Sequence, residues 1–161
     1  MRADGFPGVL PIGRVISEFG PRRGRQHQGL DIAAPAKTPI RAVSSGRVMR
    51  LWRNGQLAGY GNTVLVAHAD GTAGLYAHLH HWAPALERAY RVRQGEIIGY
   101  VGRTEAGQSS ARAQAGRPIT PHLHLEIHQK ADPHVNPNNP KRINPEKYLQ
   151  LKNLSPFDEH V

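Results

Sequence analysis

Short apolar runs separated by glycine and proline are the feature that most constrains how this chain can fold. The 161 residues include 17 glycines and 13 prolines, which imply many turns and few long helices. Strand-like apolar runs fall at 15–19, 38–43, 46–52, 62–68, 73–80, 96–101 and 121–128. Many short strands at this spacing predict an all-β fold.

The rest of the chain adds little regular structure to this pattern. Residues 145–151 are predicted to form a short terminal helix with Pro145 in its first turn. The polar segment 103–119 is predicted to be a loop, and a loop of this length is usually functional or disordered. Segment 131–145 is predicted to be extended. Without a repeat or a clear linker, we expect one domain over 1–161.

Charge and composition restrict the classes of function. The 21 Lys and Arg against 12 Asp and Glu give a net charge of +9, which favours an anionic partner or surface. The chain has no cysteine, so disulfides, thiolate zinc sites and cysteine nucleophiles are excluded. The Lys and Arg residues are scattered and no nucleic-acid-binding motif is present, so we expect no nucleic-acid partner. No run is long enough to span a bilayer.

Histidines are concentrated in three short clusters beside strand-like runs. The first combines His27 with Asp31, and the others are the pairs His78/His80 and His122/His124. Residues two apart in a strand lie on the same face, so either pair could hold a metal together, and spacing alone does not choose between them. Imidazole and carboxylate are good zinc ligands, and three such ligands leave a fourth position open for water.

The run at 121–128 has a clear alternation. Its aliphatic residues should face the core, whereas its polar residues His122, His124, Glu126 and His128 should line a groove.

These motifs occur in an order that resembles the lysostaphin-type (LytM-like, M23-type) zinc metalloendopeptidases of peptidoglycan. The motifs are His27-x-Gly-x-Asp31, Tyr76-Ala-His78-Leu79 and His122-x-His124. Further similar segments are 17–22, 31–48, 59–71 and 143–149. The resemblance covers about 12–150, leaving 1–11 and 151–161 as terminal extensions. It implies a mainly antiparallel β-sheet with a groove that carries one zinc ion.

The resemblance also implies a role for each site residue. His27, Asp31 and His124 would bind Zn²⁺, and His78 and His122 would be the catalytic pair beside it. Which of the two is the base is left open. Tyr60 and Asn62 lie in the family's groove-forming turn and are candidates for substrate binding. Loop 103–119 departs from the family pattern, and we expect it to form a groove wall that affects substrate preference.

We therefore expect a monomeric zinc endopeptidase that cuts cross-links or stem peptides of peptidoglycan. The alternative is a catalytically silent wall-binding regulator of another hydrolase, because some relatives have lost ligands. Residues 1–7 lack the apolar core of a signal peptide, so we expect a fragment of an exported protein or one delivered by a phage. The bond that is cut is left open.

The remaining histidines and the tryptophans have simpler expected roles. His68 should be structural, and one of His80 and His81 is a candidate for contacting a metal ligand. His128, His134 and His160 should be surface residues, and Trp52 and Trp82 should pack in the core or at its edge.

Overall fold

A computed structural model describes residues 8–22, 24–57, 59–88, 91–104, 120–132, 134 and 141–158. The strands are β1 (Gly8–Leu10), β2 (Arg14–Ser17), β3 (Gly20–Arg22), β4 (Arg25–His27), β5 (Leu30–Ala33), β6 (Pro39–Arg41), β7 (Gly46–Trp52), β8 (Asn62–His68), β9 (Ala73–Trp82), β10 (Arg91–Val92), β11 (Ile97–Val101), β12 (His122–His128), β13 (Arg142–Ile143) and β14 (Ser155–Phe157). A 3-10 helix covers Pro84–Glu87, and helix α1 covers Pro145–Leu151. No helix in these ranges is long and apolar enough to cross a membrane.

Ten of the strands form one antiparallel sheet. Its main path runs β10-β7-β8-β9-β12-β5-β2, while β11 joins β9 to β6 and β13 pairs with β12. The hairpin β3–β4 and the parallel pair β1–β14 lie outside this sheet. The predicted all-β, mainly antiparallel fold is thereby confirmed.

The strongest apolar runs have the predicted boundaries. The runs at 46–52 and 62–68 form β7 and β8, and the predicted helix over 145–151 forms α1. The apolar pattern does not predict strand β5, although the strand carries Asp31 and overlaps the segment 31–48 that resembles strands of the family. It has only four residues and derives its stability from pairing with β12 and β2, which local sequence does not reveal.

The apolar face of β12 lies in the main core, as its alternation predicts. Leu123, Leu125 and Ile127 are fully buried there. On the opposite face only His122 and His124 are partly exposed and can line a groove, because Glu126 and His128 are also buried. The prediction that His128 is a surface residue is wrong, since its Nε2 lies 2.8 Å from Glu126 Oε1 in the interior.

Both tryptophans pack in the interior, as predicted. Trp52 and Trp82 are 4% and 7% exposed and belong to separate apolar clusters. The guanidinium groups of Arg50 and Arg53 lie over their rings. Neither ring is therefore available as a platform for a sugar.

The two ends of the described chain meet in the same core. Strand β1 pairs with β14, and Val9 and Leu154 are buried in the main cluster. These residues lie outside 12–150, so the packed unit extends beyond the segment that carried the resemblance. The domain boundaries themselves stay a prediction.

Candidate metal and catalytic site

Three neighbouring strands bring together the predicted metal ligands. His27 ends β4, Asp31 lies in β5, and His124 lies opposite Asp31 in the β5–β12 pair. One potential ligand atom from each residue lies within 4.8 Å of the others. Gly29 permits this close approach, because a Cβ there would lie 2.5 Å from the carbonyl oxygen of Leu125.

Hydrogen bonds determine which imidazole nitrogen faces Asp31. His27 Nδ1 donates to the carbonyl oxygen of Glu18 at 2.9 Å, leaving Nε2 at 3.2 Å from Asp31 Oδ2. His124 has the opposite orientation, with Nδ1 at 2.7 Å from Asp31 Oδ1. The atoms available to a metal are therefore His27 Nε2, His124 Nδ1 and the Asp31 carboxylate.

The electrostatics of this cluster fit a bound cation. Burial opposes charge on both Asp31 and His124, but their mutual hydrogen bond, helped by His27 at Asp31 and by Glu126 at His124, reverses the outcome for each. The pKa of Asp31 is held well below its usual range, and the pKa of His124 is raised to about 10. The carboxylates beside His124 therefore stabilise positive charge at this position. Two imidazole nitrogens and one carboxylate also form a donor set that Zn²⁺ accepts.

A buried carboxylate holds the far side of His124. Glu126 Oε2 accepts hydrogen bonds from His124 Nε2 at 2.9 Å and from the Tyr60 hydroxyl at 2.7 Å. Its other oxygen, Oε1, accepts from His128 Nε2 and Arg142 Nε, each at 2.8 Å. Burial would raise the pKa of Glu126, but these donors hold it well below its usual range. Sequence reasoning placed Glu126 on the correct face of β12 and missed Tyr60 and Arg142 as its partners.

A bulge in β9 sets the orientation of His78. Between the Asn62–Leu79 and Val64–Tyr76 pairs, β9 has one more residue than β8. His78 adopts a positive φ of 62° there, which is uncommon for a non-glycine residue and is often found at functional sites. His78, inside this bulge, is buried beside His122 and His124, whereas His80 is exposed and meets His81. The structure therefore does not bring His78 and His80 together as a pair.

The predicted catalytic histidines lie side by side next to the metal ligands. The rings of His78 and His122 are 4.9 Å apart, and the His78 ring is 5.9 Å from that of His124. His78 Nδ1 donates to the carbonyl oxygen of Thr104 at 2.9 Å, and His122 Nδ1 donates to that of Thr120 at 2.8 Å. Burial, together with the nearby His124 and His122, lowers the pKa of His78 to about 4. His78 is therefore neutral at neutral pH, with an unprotonated Nε2.

The groove-forming turn has a clear structural role. The Asn62 side chain donates to the carbonyl oxygens of Leu79 and His80 and accepts from the Asn54 amide. Tyr60 presents the edge of its ring to His124 at 5.8 Å between centroids. Substrate binding by Tyr60 and Asn62 stays a prediction.

The remaining histidines lie away from the ligands. His80 and His81 are exposed, with their Nδ1 atoms 2.7 Å apart. They contact each other and do not hold a candidate metal ligand in position. His68 is buried and hydrogen-bonded to Thr72, as its structural role predicts, and His134 is exposed. His160 and residues 105–119 of the predicted groove wall lie outside the described residues.

Comparison with known proteins identifies the family. The model of Peptidase family M23 matches residues 25–137. The chain belongs to this family. It is 41% identical over 130 residues to the DD-carboxypeptidase/endopeptidase Mpg of Neisseria meningitidis, covering 77% of this chain and 26% of that protein. It is 32% identical over 137 residues to the murein hydrolase activator NlpD of Escherichia coli, covering 85% of this chain and 29% of that protein.

A solved structure of an M23 protein has the same fold. A mutant form of the catalytic domain of the prophage-encoded M23 protein EnpA from Enterococcus faecalis is 28% identical, with a TM-score of 0.66. The match covers 91% of this chain and 98% of that domain. By contrast, the chain spans about a quarter of the length of the curated relatives it matches. The resemblance to lysostaphin-type peptidases predicted from the sequence is confirmed.

Proposed function

We propose that this chain is a zinc-dependent endopeptidase that hydrolyses cross-links or stem peptides of bacterial peptidoglycan. Membership of the M23 family and the 41% identity to Mpg support this class of reaction. The observation that carries the proposal is the pairing of His78 and His122. Each Nδ1 donates to a backbone carbonyl, which leaves the two Nε2 atoms to act beside the three candidate ligands.

The zinc site would use His27 Nε2, the Asp31 carboxylate and His124 Nδ1. Three protein ligands leave a coordination position open, as in catalytic rather than structural zinc sites. The chemistry that zinc supplies there is Lewis acidity toward water and toward the scissile carbonyl. Because Asp31 is the only anion among the three ligands, the bound ion would keep a net positive charge and its electrophilic character.

His78 and His122 would move the protons that hydrolysis requires. A neutral imidazole can accept a proton from the attacking water at Nε2 and later deliver it to the departing amine. The other imidazole, when it carries a proton at Nε2, can donate a hydrogen bond to the negative charge that develops on the carbonyl oxygen. The carbonyls of Thr104 and Thr120 fix both rings for these tasks. Either histidine could take either task.

A second candidate function has a specific observation in its favour. NlpD, a relative of 32% identity, is named a murein hydrolase activator. A catalytically silent regulator would bind the wall and stimulate another hydrolase. Such a protein has no chemical need for two oriented histidines beside an intact set of ligands, so we favour the enzyme.

Replacement of the catalytic pair tests this choice. We expect His78→Ala and His122→Ala to retain zinc and fold but to lose about a hundredfold to ten-thousandfold of wall-hydrolysing activity. His80→Ala is the matched control, because it removes an exposed imidazole from the same strand as His78. If both variants hydrolyse walls as well as the control does, the proposed catalytic roles are wrong.

The proposed substrate implies that the protein acts outside the cytoplasm, where its charge affects binding to the wall. We infer that anionic polymers of the wall attract it through its net charge of +9. Arg47 and Arg91 lie opposite each other in the β7–β10 pair, and together with Arg93 they line an open groove at the end of the sheet. This groove is a suitable surface for such polymers. We expect the protein to act as a monomer.

A further inference from the structure

Thr104 links the groove-forming turn to the catalytic strand. Its hydroxyl donates to the carbonyl oxygen of Leu79 at 2.8 Å and accepts from the backbone N–H of Asn62 at 3.1 Å. Its own carbonyl oxygen accepts from His78 Nδ1 at 2.9 Å. One residue thus connects β8, β9 and the imidazole of His78.

The turn leaves very little room for this carbonyl to move. Gly61 has a φ of 70°, and a Cβ on it would lie 2.1 Å from the carbonyl oxygen of Thr104. The backbone of Thr104 therefore lies directly against Gly61. The two hydrogen bonds of the Thr104 hydroxyl hold this backbone against Gly61, because Asn62 belongs to the turn and Leu79 to the strand of His78.

The chemistry of the carbonyl determines what this contact does. A carbonyl oxygen can only accept a hydrogen bond, so His78 must carry its proton on Nδ1. The unprotonated Nε2 is then the atom that can take a proton during the reaction. A Thr104 carbonyl displaced from its place would release the ring and permit the other tautomer, in which Nε2 carries the proton.

We propose that Thr104 is a positioning residue, whose hydroxyl fixes the carbonyl that orients His78 and selects its Nδ1–H tautomer. This inference rests on the proposed catalytic role of His78. It gives Thr104 a role that neither the family match nor the sequence motifs assign. The hydroxyl, rather than the methyl group, makes the hydrogen bonds that fix the carbonyl.

A matched pair of substitutions tests the proposal. Thr104→Val keeps the shape of the side chain and removes the hydroxyl, whereas Thr104→Ser keeps the hydroxyl. We expect Thr104→Val to lower kcat by about tenfold to a hundredfold, with KM and zinc content close to those of the wild type. Thr104→Ser should restore most of kcat. Equal losses in both variants, or a wild-type kcat in Thr104→Val, would overturn the proposal.

A measurement that does not depend on activity separates this proposal from the proposed function. Nitrogen chemical shifts of the His78 ring in the zinc-loaded protein report its tautomer directly. We expect only the Nδ1–H form in the wild type and in Thr104→Ser, and a mixture of tautomers in Thr104→Val. An Nε2–H ring in the wild type would overturn the inference even if no variant folds. The expected tautomers in a protein that hydrolyses no wall would refute the proposed function and leave the positioning by Thr104 supported.

Discussion

The histidines of the site differ in which ring nitrogen is already occupied. His27, His78 and His122 each donate from Nδ1 to a backbone carbonyl, whereas His124 is held at Nε2 by the Glu126 carboxylate. The resemblance to the family, rather than spacing alone, indicated which histidines act together. The occupied nitrogen follows from contacts that are distant in sequence, such as the one between His78 and Thr104, and no local pattern reveals it.

Glu126 offers a test of these contacts at the scale of one residue. In Glu126→Gln an amide group replaces one oxygen that accepts two hydrogen bonds, and the buried Arg142 loses its counter-charge. We expect zinc affinity to fall about tenfold to a hundredfold and the free energy of unfolding to fall by about 3 kcal/mol. Chelator competition and urea unfolding measure the two effects. The control is Glu87→Gln, which alters an exposed ion pair. Zinc affinity equal to that of the control would contradict the role of Glu126.

Strands β9 and β12 show how far alternation predicts an element. β12 is regular from His122 to His128, and its two faces have the composition that the sequence predicts. β9 contains a bulge at His78, and its burial does not alternate, because every residue from Ala73 to Leu79 is buried. The bulge depends on pairing with β8 and β11, which lie on either side of this segment. A pattern read along one strand cannot report that pairing.

A buried histidine connects β8 to α1. His68 Nδ1 lies 2.9 Å from the Thr72 hydroxyl and 3.1 Å from that of Tyr148, which donates to Asp70. His68 Nε2 is buried and has no hydrogen-bond partner among the described residues. Protonation would therefore bury an unsatisfied N–H. Burial, opposed by the nearby Asp70, lowers the pKa of His68 from 6.5 to about 4.

This contact predicts a pH dependence of stability. The unfolded chain binds a proton at His68 near pH 6.5, whereas the folded chain binds it only near pH 4. The stability that neutral His68 contributes above pH 6.5 is therefore lost as the pH falls from 6.5 to about 4. The loss attributable to His68 should be about 3 kcal/mol. Urea unfolding at pH 7 and pH 4.5 should show a larger loss for the wild type than for His68→Gln, with His80→Gln behaving like the wild type. Equal losses for the wild type and His68→Gln would contradict this assignment.

At the scale of the whole molecule, the basic residues are less scattered than the sequence suggests. Arg47 is 44 positions from Arg91 in sequence, yet the β7–β10 pair places them opposite each other. The fold class and the family were predictable, because the motifs are local and ordered along the chain, and the resemblance to the family indicated the five candidate site residues. The arginine groove and the Glu126 cluster depend on strand pairing and were not predictable.

Charge should govern binding to the wall more than it governs catalysis. We expect binding to isolated walls to weaken as salt rises, because charges are screened beyond about 8 Å near physiological ionic strength. Cleavage of a small soluble peptide should change less. Replacing Arg47, Arg91 and Arg93 with Gln should reduce the salt dependence of wall binding in a sedimentation assay. Replacing Arg50 and Arg53, which lie over tryptophan rings, is the control. Wall binding that is insensitive to salt would contradict this account and indicate specific recognition.

Mass spectrometry of wall digests tests the central claim most directly. Purified protein with about one zinc per chain should convert muropeptides from walls of at least one chemotype into smaller peptides. Each cleavage should add one water and expose a new amine. The products should disappear when a chelator removes the zinc, return when zinc is restored, and be absent with His124→Ala. Folded protein that holds its zinc and releases no peptide from any wall would contradict the claim that this chain is an endopeptidase.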